Sequence, residues 1–422
     1  MSKRNYSKPW WLALTGGILT AILALTAPVA GAATVQTTLT YTGPLPASIT
    51  ALKVENLAGH VSVTQGSRFE VTATVVASGA DQTAAQALAQ TVKFDTAQSG
   101  DSFTLHVHYP VNQYDSYQYP AEHADNTGGN NDNFCFLGVF CVNGGGNNLS
   151  YQGSEVHVYR GSQRGTPLHV DLSVQLPANM QLALVNYVGR SDLQGLQNDL
   201  RVKTSSGDVF ATGIAGKFDA DTGSGDVHAK NLSGDFSADT GSGDVFADGF
   251  KGSVHADTGS GDVHMSNGSG QTLYANTGSG DVFLNHTIGD MQFDTGSGDV
   301  RIKDAAGSLH ADTGSGEVHA ENYTSGVNVW ANTGSGDVNL AGDLSALRKL
   351  YIDTGSGDAT LHTTAGLLLH LDASSDSGDL NINLPDMRNV VTHRGSFSAD
   401  FGQAEGHGTI STGSGDITVT QP

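Results

Sequence analysis

From about residue 200 to the C-terminus, apolar and polar residues alternate in short bursts that return at a near-constant interval. In the stretch from Gly225 to Ser242, Val227 and Ala229 flank His228, and Phe236 and Ala238 flank Ser237. Each unit therefore predicts two short strands joined by two glycine-containing turns. Aligning the units on one turn produces rows. Phe218, Phe236, Val254, Leu273, Met291, Leu309, Val329, Leu350 and Leu371 hold the first, and Ala220, Ala238, Ala256, Ala275, Phe293, Ala311, Ala331, Ile352 and Ala373 the second. A third row is valine from Val209 to Val338, until Ala359 breaks it. Rows that stay apolar in every unit predict a stacked interior in which each strand pairs with the units above and below.

The aligned turn, Asp239-Thr240-Gly241-Ser242-Gly243-Asp244-Val245, recurs with its second acid at Asp208, Asp226, Asp244, Asp262, Asp281, Asp299, Glu317, Asp337, Asp358, Asp379 and Asp416. Early steps are 18 or 19 residues, later ones 20 or 21, and the last gap spans about two units. The reading is an all-β chain whose residues 178–422 form a single-stranded β-solenoid of ~18-residue coils, with the repeated glycines supplying positive φ at the corners.

Upstream, alternation at Leu52, Val54, Val61 and Val63, at Phe69 to Val75, at Phe103 to Tyr109 and at Leu168 to Leu176 predicts a β-rich region over 33–177. It is interrupted by one short helix, Asp81 to Val92, with Asp81 as N-cap and Ala84, Leu88 and Val92 facing inward. Residues 110–155, rich in Asn, Gly and Tyr, read as an insertion loop too poor in apolar surface to offset its ordering entropy.

Composition narrows the function classes. With 42 acidic against 20 basic side chains, a formal charge of −22 and no basic stripe, the chain is not expected to bind nucleic acid. Lys3, Arg4 and Lys8, the apolar run Trp10 to Leu25 and Ala30-Gly31-Ala32 read as a signal peptide over 1–32, cleaved after Ala32. An uncleaved anchor is the alternative, and no later segment is apolar for long enough to cross a bilayer. An exported protein of the periplasm, the cell envelope or the medium follows. In such an oxidising compartment Cys135 and Cys141 are expected to close a small disulfide loop within the insertion.

The repeated Thr-Gly-Ser-Gly-Asp-Val, the stretch Glu55-Asn56-Leu57-Ala58-Gly59-His60-Val61-Ser62-Val63 and Leu176-Pro177 leading into the array resemble the bacterial "putative adhesin" family, a domain of unknown function. Asn56 to Val63 also resembles Asn231 to Ala238 within this chain. The resemblance implies a right-handed β-helix in an exported or envelope protein, with an adhesin-like role as the family's expectation. The long insertion departs from the short connection expected there.

Candidate chemistry lies on the outside of the array. Two acidic rows flank the turn, and carboxylates stacked ~5 Å apart repel by about 1 kcal/mol per neighbouring pair in water. Calcium could offset this, but the spacing is not the nonapeptide calcium pattern, so capping of backbone N–H groups within each turn is the favoured reading. His228, His264, His319, His255 and His310 are expected to be solvated, being too far apart within a row to share zinc. Outward Tyr274, Trp330 and Tyr351 are the candidate binding face for a cell-surface protein or polysaccharide, with stacking between coils as the alternative. A β-helix carbohydrate-active enzyme is the rival class. Catalysis needs an acid and a base in differing environments, whereas this array repeats the same acids, so no catalytic residue or cofactor is assigned.

Overall fold

The structure, a computed structural model, describes residues 19–24, 32–120, 135–136, 140–141, 147–161 and 164–421. Residues 1–18 and 25–31, on which most of the expected signal peptide falls, lie outside the described residues. No helix among the described residues is long and apolar enough to cross a membrane. The described residues are all-β apart from one helix, and the chain divides into two compact units, 1–208 and 209–422. The boundary expected at 177/178 falls inside the first.

In the first unit two strand series carry the core. One runs Ala33–Tyr41, Glu70–Gly79, Leu168–Leu176, Val61–Gln65 and Ser191–Gln194. The other runs Lys93–Ser99, Ser102–His108, Ala51–Ala58, Gln181–Val188 and Leu200–Thr204. Leu19–Ala24, from the expected signal segment, pairs antiparallel with Ala33–Tyr41. Leu52, Val54, Val61, Val63, Phe69, Val71, Val75, Leu105 and Val107 are buried as the alternation predicts. The helix is Gln82–Ala89, and its Asp81 cap accepts from the Ala84 N–H at 2.8 Å. Leu88 and Val92 are buried, but Ala85 and not Ala84 faces inward.

The segment 110–155 is not a loop throughout. Ser116–Tyr119, Asn147–Tyr151 and Ser154–Arg160 form a three-stranded sheet, and Tyr117, Tyr119 and Tyr151 are fully buried. Tyrosines supplied the apolar area that a count of aliphatic residues misses. Cys135 and Cys141 are Cα partners in a short antiparallel ribbon; their side chains lie outside what is described.

The second unit is a stack of parallel coils. Val209 pairs with Val227, Val227 with Val245, Val245 with Val263, and onward through Val282, Val300, Val318 and Val338 to Ala359. All three apolar rows are buried, no member more than 4% exposed. Each fully buried Val or Leu contributes about 1.5–3 kcal/mol, so the rows supply the unit's main driving force.

At its closing end the coils do not stack in chain order. Gly406–Thr412 pairs with Lys349–Thr354 on one side and Leu369–Ser375 on the other, and Ile417–Thr420 lies likewise between Ala359–Thr363 and Leu380–Asn383. The last coil in sequence is thus inserted beneath the one before it. Ser396–Asp400 then adds antiparallel to Leu369–Ser375, and Arg388–His393 pairs with it in turn.

The turn glycines work differently from the expectation. Gly243 and Gly261 do not have positive φ. A Cβ on Gly261 would instead sit 2.0 Å from the carbonyl oxygen of Gly243 in the coil below, and one on Gly243 2.0 Å from that of Gly225. Glycine is required by close approach between coils. The left-handed corner lies in the other turn, where the expectation holds for Gly213 and Gly249, with φ of 68° and 71°, while Asn231, Asn267, His286, Asp304 and Asn322 take the same position with φ of 51–54°. Asn231 therefore differs in role from Asn56, which is buried in a strand beside Asn186 and donates to the Val170 carbonyl at 2.9 Å.

Candidate functional site

The repeated turn is a joint between coils. Thr258 Oγ1 accepts from the Gly261 N–H of its own turn at 3.0 Å and donates to the Gly243 carbonyl of the coil below at 2.9 Å. Thr240, Thr277, Thr295, Thr313 and Thr333 repeat this pair of bonds, and Ser375 makes it in the outermost coil. These threonines are no more than 6% exposed. Each hydroxyl satisfies two backbone groups that would otherwise be buried without partners.

The acidic row after the turn also joins coils. Asp226 Oδ1 accepts from the Asp244 N–H, Asp244 from Asp262, Asp262 from Asp281, Asp281 from Asp299 and Asp299 from Glu317, at 2.8–2.9 Å. The capping is therefore of the next coil's N–H, and not of the same turn as expected. One carboxylate oxygen per coil is engaged; the other is offset locally where a cation stands near. Arg301 binds Asp281 Oδ2 at 2.7 Å and also Asp299 Oδ2. In the row before the turn, amides interrupt the charges: Asn276 donates to Asp257 at 3.1 Å and Asn332 to Asp312 at 2.9 Å.

Outward aromatic and histidine side chains stack along the coils. Phe210, His228, Phe246, His264 and Phe283 form a continuous ladder, with centroids 4.5–4.8 Å apart and planes within 10°. Arg301 lies 5.4 Å above the Phe283 ring. His228 and His264 are thus held between rings and not simply solvated. On the other face His255 stacks on Tyr274 at 4.3 Å, and His310 on Trp330 at 4.0 Å. Trp330 stacks in turn on Tyr351, at 5.7 Å.

The candidate binding residues are therefore not one patch. Trp330 and Tyr351 are adjacent, whereas Gln292 and His310 stand between Tyr274 and Trp330. Stacking covers ring faces and leaves edges outward. Among the described residues Tyr351 and Tyr274 each stack on a ring on one side: the other neighbour in register of Tyr351 is Thr409 and that of Tyr274 is Gln292, and Tyr351 is 37% exposed. The Tyr351 hydroxyl lies 3.3 Å from Asp353 Oδ2.

In the first unit several charged groups are paired. His106 beside Glu55, opposed by burial and helped by Lys53, holds the Glu55 carboxyl at about 2. Burial pushes Asp192 up, but hydrogen bonds from His60 and Arg190 outweigh it and hold it at about 2, and His60 is raised by the same contact.

Among curated proteins, none matches the chain. A solved structure described as a "putative cell adhesion protein" from Clostridium sporogenes is similar over 96% of this chain and 100% of that one, at 9% identity and a TM-score of 0.15. At that score the likeness carries no argument. The profile of the family described as Toastrack DUF4097 matches residues 169–287, 251–346 and 344–420, together more than half of the sequence. The chain belongs to the Toastrack DUF4097 family.

Proposed function

We propose that this chain is a non-enzymatic, exported binding or structural protein of the bacterial cell envelope, adhesin-like in use, whose right-handed solenoid is a rigid support for contact residues. The observation that carries this reading is the employment of the repeat's polar groups. The threonine hydroxyls, one oxygen of each linked aspartate and the faces of most outward rings are engaged in joining one coil to the next. Repetition of one bond pattern suits a scaffold, whereas catalysis sets groups of differing role against one another. Export, with cleavage after Ala32, suits a Cys135–Cys141 bridge, since the two backbones are already opposed.

Contact is assigned to Trp330 and Tyr351. The unstacked face of Tyr351, with a hydroxyl and the Asp353 carboxylate beside it, can stack on a sugar ring or a partner's aromatic group and hydrogen-bond at its rim. The test uses the full chain coupled to beads and presented to immobilised cell-wall polysaccharide and to whole bacterial cells. The double substitution Trp330→Ser and Tyr351→Ser should reduce attachment at least tenfold with the β-type circular dichroism intact. Undiminished attachment would refute the assigned face, and release of reducing sugar by the native protein would refute the non-enzymatic reading.

A further inference from the structure

The inserted coil brings together side chains that are far apart in sequence. Strand Leu369–Ser375 lies between Gly406–Thr412, parallel to it, and Ser396–Asp400, antiparallel to it. Strand alternation puts His370 and Asp372 on one outer face. Register then sets His407 beside His370 on one flank and Asp400 beside it on the other. His370 Nε2 is 3.4 Å from Asp372 Oδ1, and His407 Nε2 is 3.9 Å from Asp372 Oδ2. One ligand atom from each of the three lies within 4.8 Å of the others. On the far side of the ring, His370 Nδ1 is 2.6 Å from Asp400 Oδ1. A carboxylate accepts, so this contact places a proton on Nδ1 and leaves the Nε2 lone pair directed to the cluster, where Ser398 Oγ now lies 3.2 Å away.

We propose that His370, Asp372 and His407 form a site for a divalent ion of the zinc class, with Asp400 as the positioning residue that fixes the His370 tautomer. Two imidazoles and a carboxylate suit zinc, copper or nickel, whereas calcium and magnesium take oxygen ligands. Bonds of ~2.0–2.1 Å in a tetrahedron put ligand atoms roughly 3.3 Å apart and leave a fourth position for water; His370 and Asp372 already stand at 3.4 Å, and His407 has to close in from 3.9 Å. The two rings stack 9° from parallel, and imidazole lone pairs lie in the ring plane. Binding therefore turns the His407 ring, which is 62% exposed, about its outer torsion. Lys349, the partner of His407 in register on its other flank, is exposed and can extend its ammonium into water. A cavity of about 180 Å³, lined by Asp372, Ser398 and Thr409 among others, borders the Asp372 carboxylate. The ion would tie the outermost coil to the inserted coil, with the Ser396–Asp400 strand braced against them, at the end most open to fraying.

The test is a titration of zinc chloride into the chelator-stripped full chain by calorimetry, beside thermal melting. One ion per chain and a raised melting temperature are expected. His407→Ala, at an exposed position that leaves the fold intact by circular dichroism, should weaken binding at least tenfold and remove the melting shift. Asp400→Asn should weaken binding roughly tenfold or more through the loss of the positioning contact. His264→Ala, on the stacked ladder, should bind as the native chain does. No binding, undiminished binding in His407→Ala, or equal loss in His264→Ala would overturn the site, and displacement of zinc by equimolar calcium would overturn the ion class.

Discussion

Gly261 has no left-handed backbone to accommodate, yet no side chain fits there, because the carbonyl of Gly243 occupies the space. Gly261→Ala should therefore cost about 2–3 kcal/mol in denaturant unfolding, through a forced separation of two coils. Gly366→Ala, where a Cβ meets nothing within 4 Å, should stay within about 0.5 kcal/mol of native. At this scale the sequence showed which positions are glycine but not why. Positive φ and close approach both select glycine, and only the stacking distance separates them. The same ambiguity hid the left-handed corner, since Asn231, Asp304 and His286 share a backbone conformation without sharing a residue type. Burial of the apolar rows was legible because a period-two pattern repeated in register has one face that can exclude water.

At the scale of elements, parallel stacking was legible and its order at the closing end was not. Spacing shows that Asp379 and Asp416 mark separate coils, but any coil bearing the turn can pair on either side. The deciding feature is local. The inserted coil carries the complete Thr412-Gly413-Ser414-Gly415-Asp416, whereas Asp376 stands where the other coils of the second unit have their first glycine. In regular coils a Cβ at that position would lie close to a backbone carbonyl below, 2.4 Å for Gly413 over Gly355. Asp376 stands in the outermost coil, and its N–H donates to the Thr412 carbonyl at 3.3 Å, the distance that Gly278 keeps to the Thr258 carbonyl in a regular coil. Strand Leu380–Asn383 of that outermost coil is only half-buried, while Ile417 and Val419 of the inserted coil are 0% exposed. The His370 cluster escaped sequence reading because it depends on this exchange of order. The turn threonines and aspartates are visible in the sequence, but their partners in the neighbouring coil lie 15 or more residues away, where a local reading of the turn does not reach.

Across the whole molecule there are 42 acidic groups, and among the described residues many of them pair with backbone N–H groups, amides and a few cations. The first unit makes stability depend on pH in a defined direction. Glu55 and Asp192 have carboxyl pKa values of about 2 in the folded chain, below their ordinary 4.5 and 3.8. A depressed carboxyl contributes stability that is fully present above its unfolded value and is lost as pH falls toward 2. The raised His60 acts in the opposite sense: its contribution is full below 6.5 and is lost as pH rises through the folded value. Stability from these groups is therefore greatest between about pH 5 and 6.5. Glu55→Gln should lower unfolding free energy by about 1–3 kcal/mol at pH 5–7, with the difference vanishing near pH 2. A difference that persists unchanged at pH 2 would mean that packing and not charge is responsible.

The central claim is that the repeated polar turn is a joint between coils and not a ligand site, and Thr258 tests it most directly. Its hydroxyl serves the Gly261 N–H and the Gly243 carbonyl at once, and valine of nearly the same shape would leave both buried without partners. Measured by equilibrium denaturation, Thr258→Val should lose about 2–3 kcal/mol, and Thr258→Ser should lose less than half as much, since Ser375 makes the same bonds in the outermost coil. A valine variant as stable as the native chain would contradict the account.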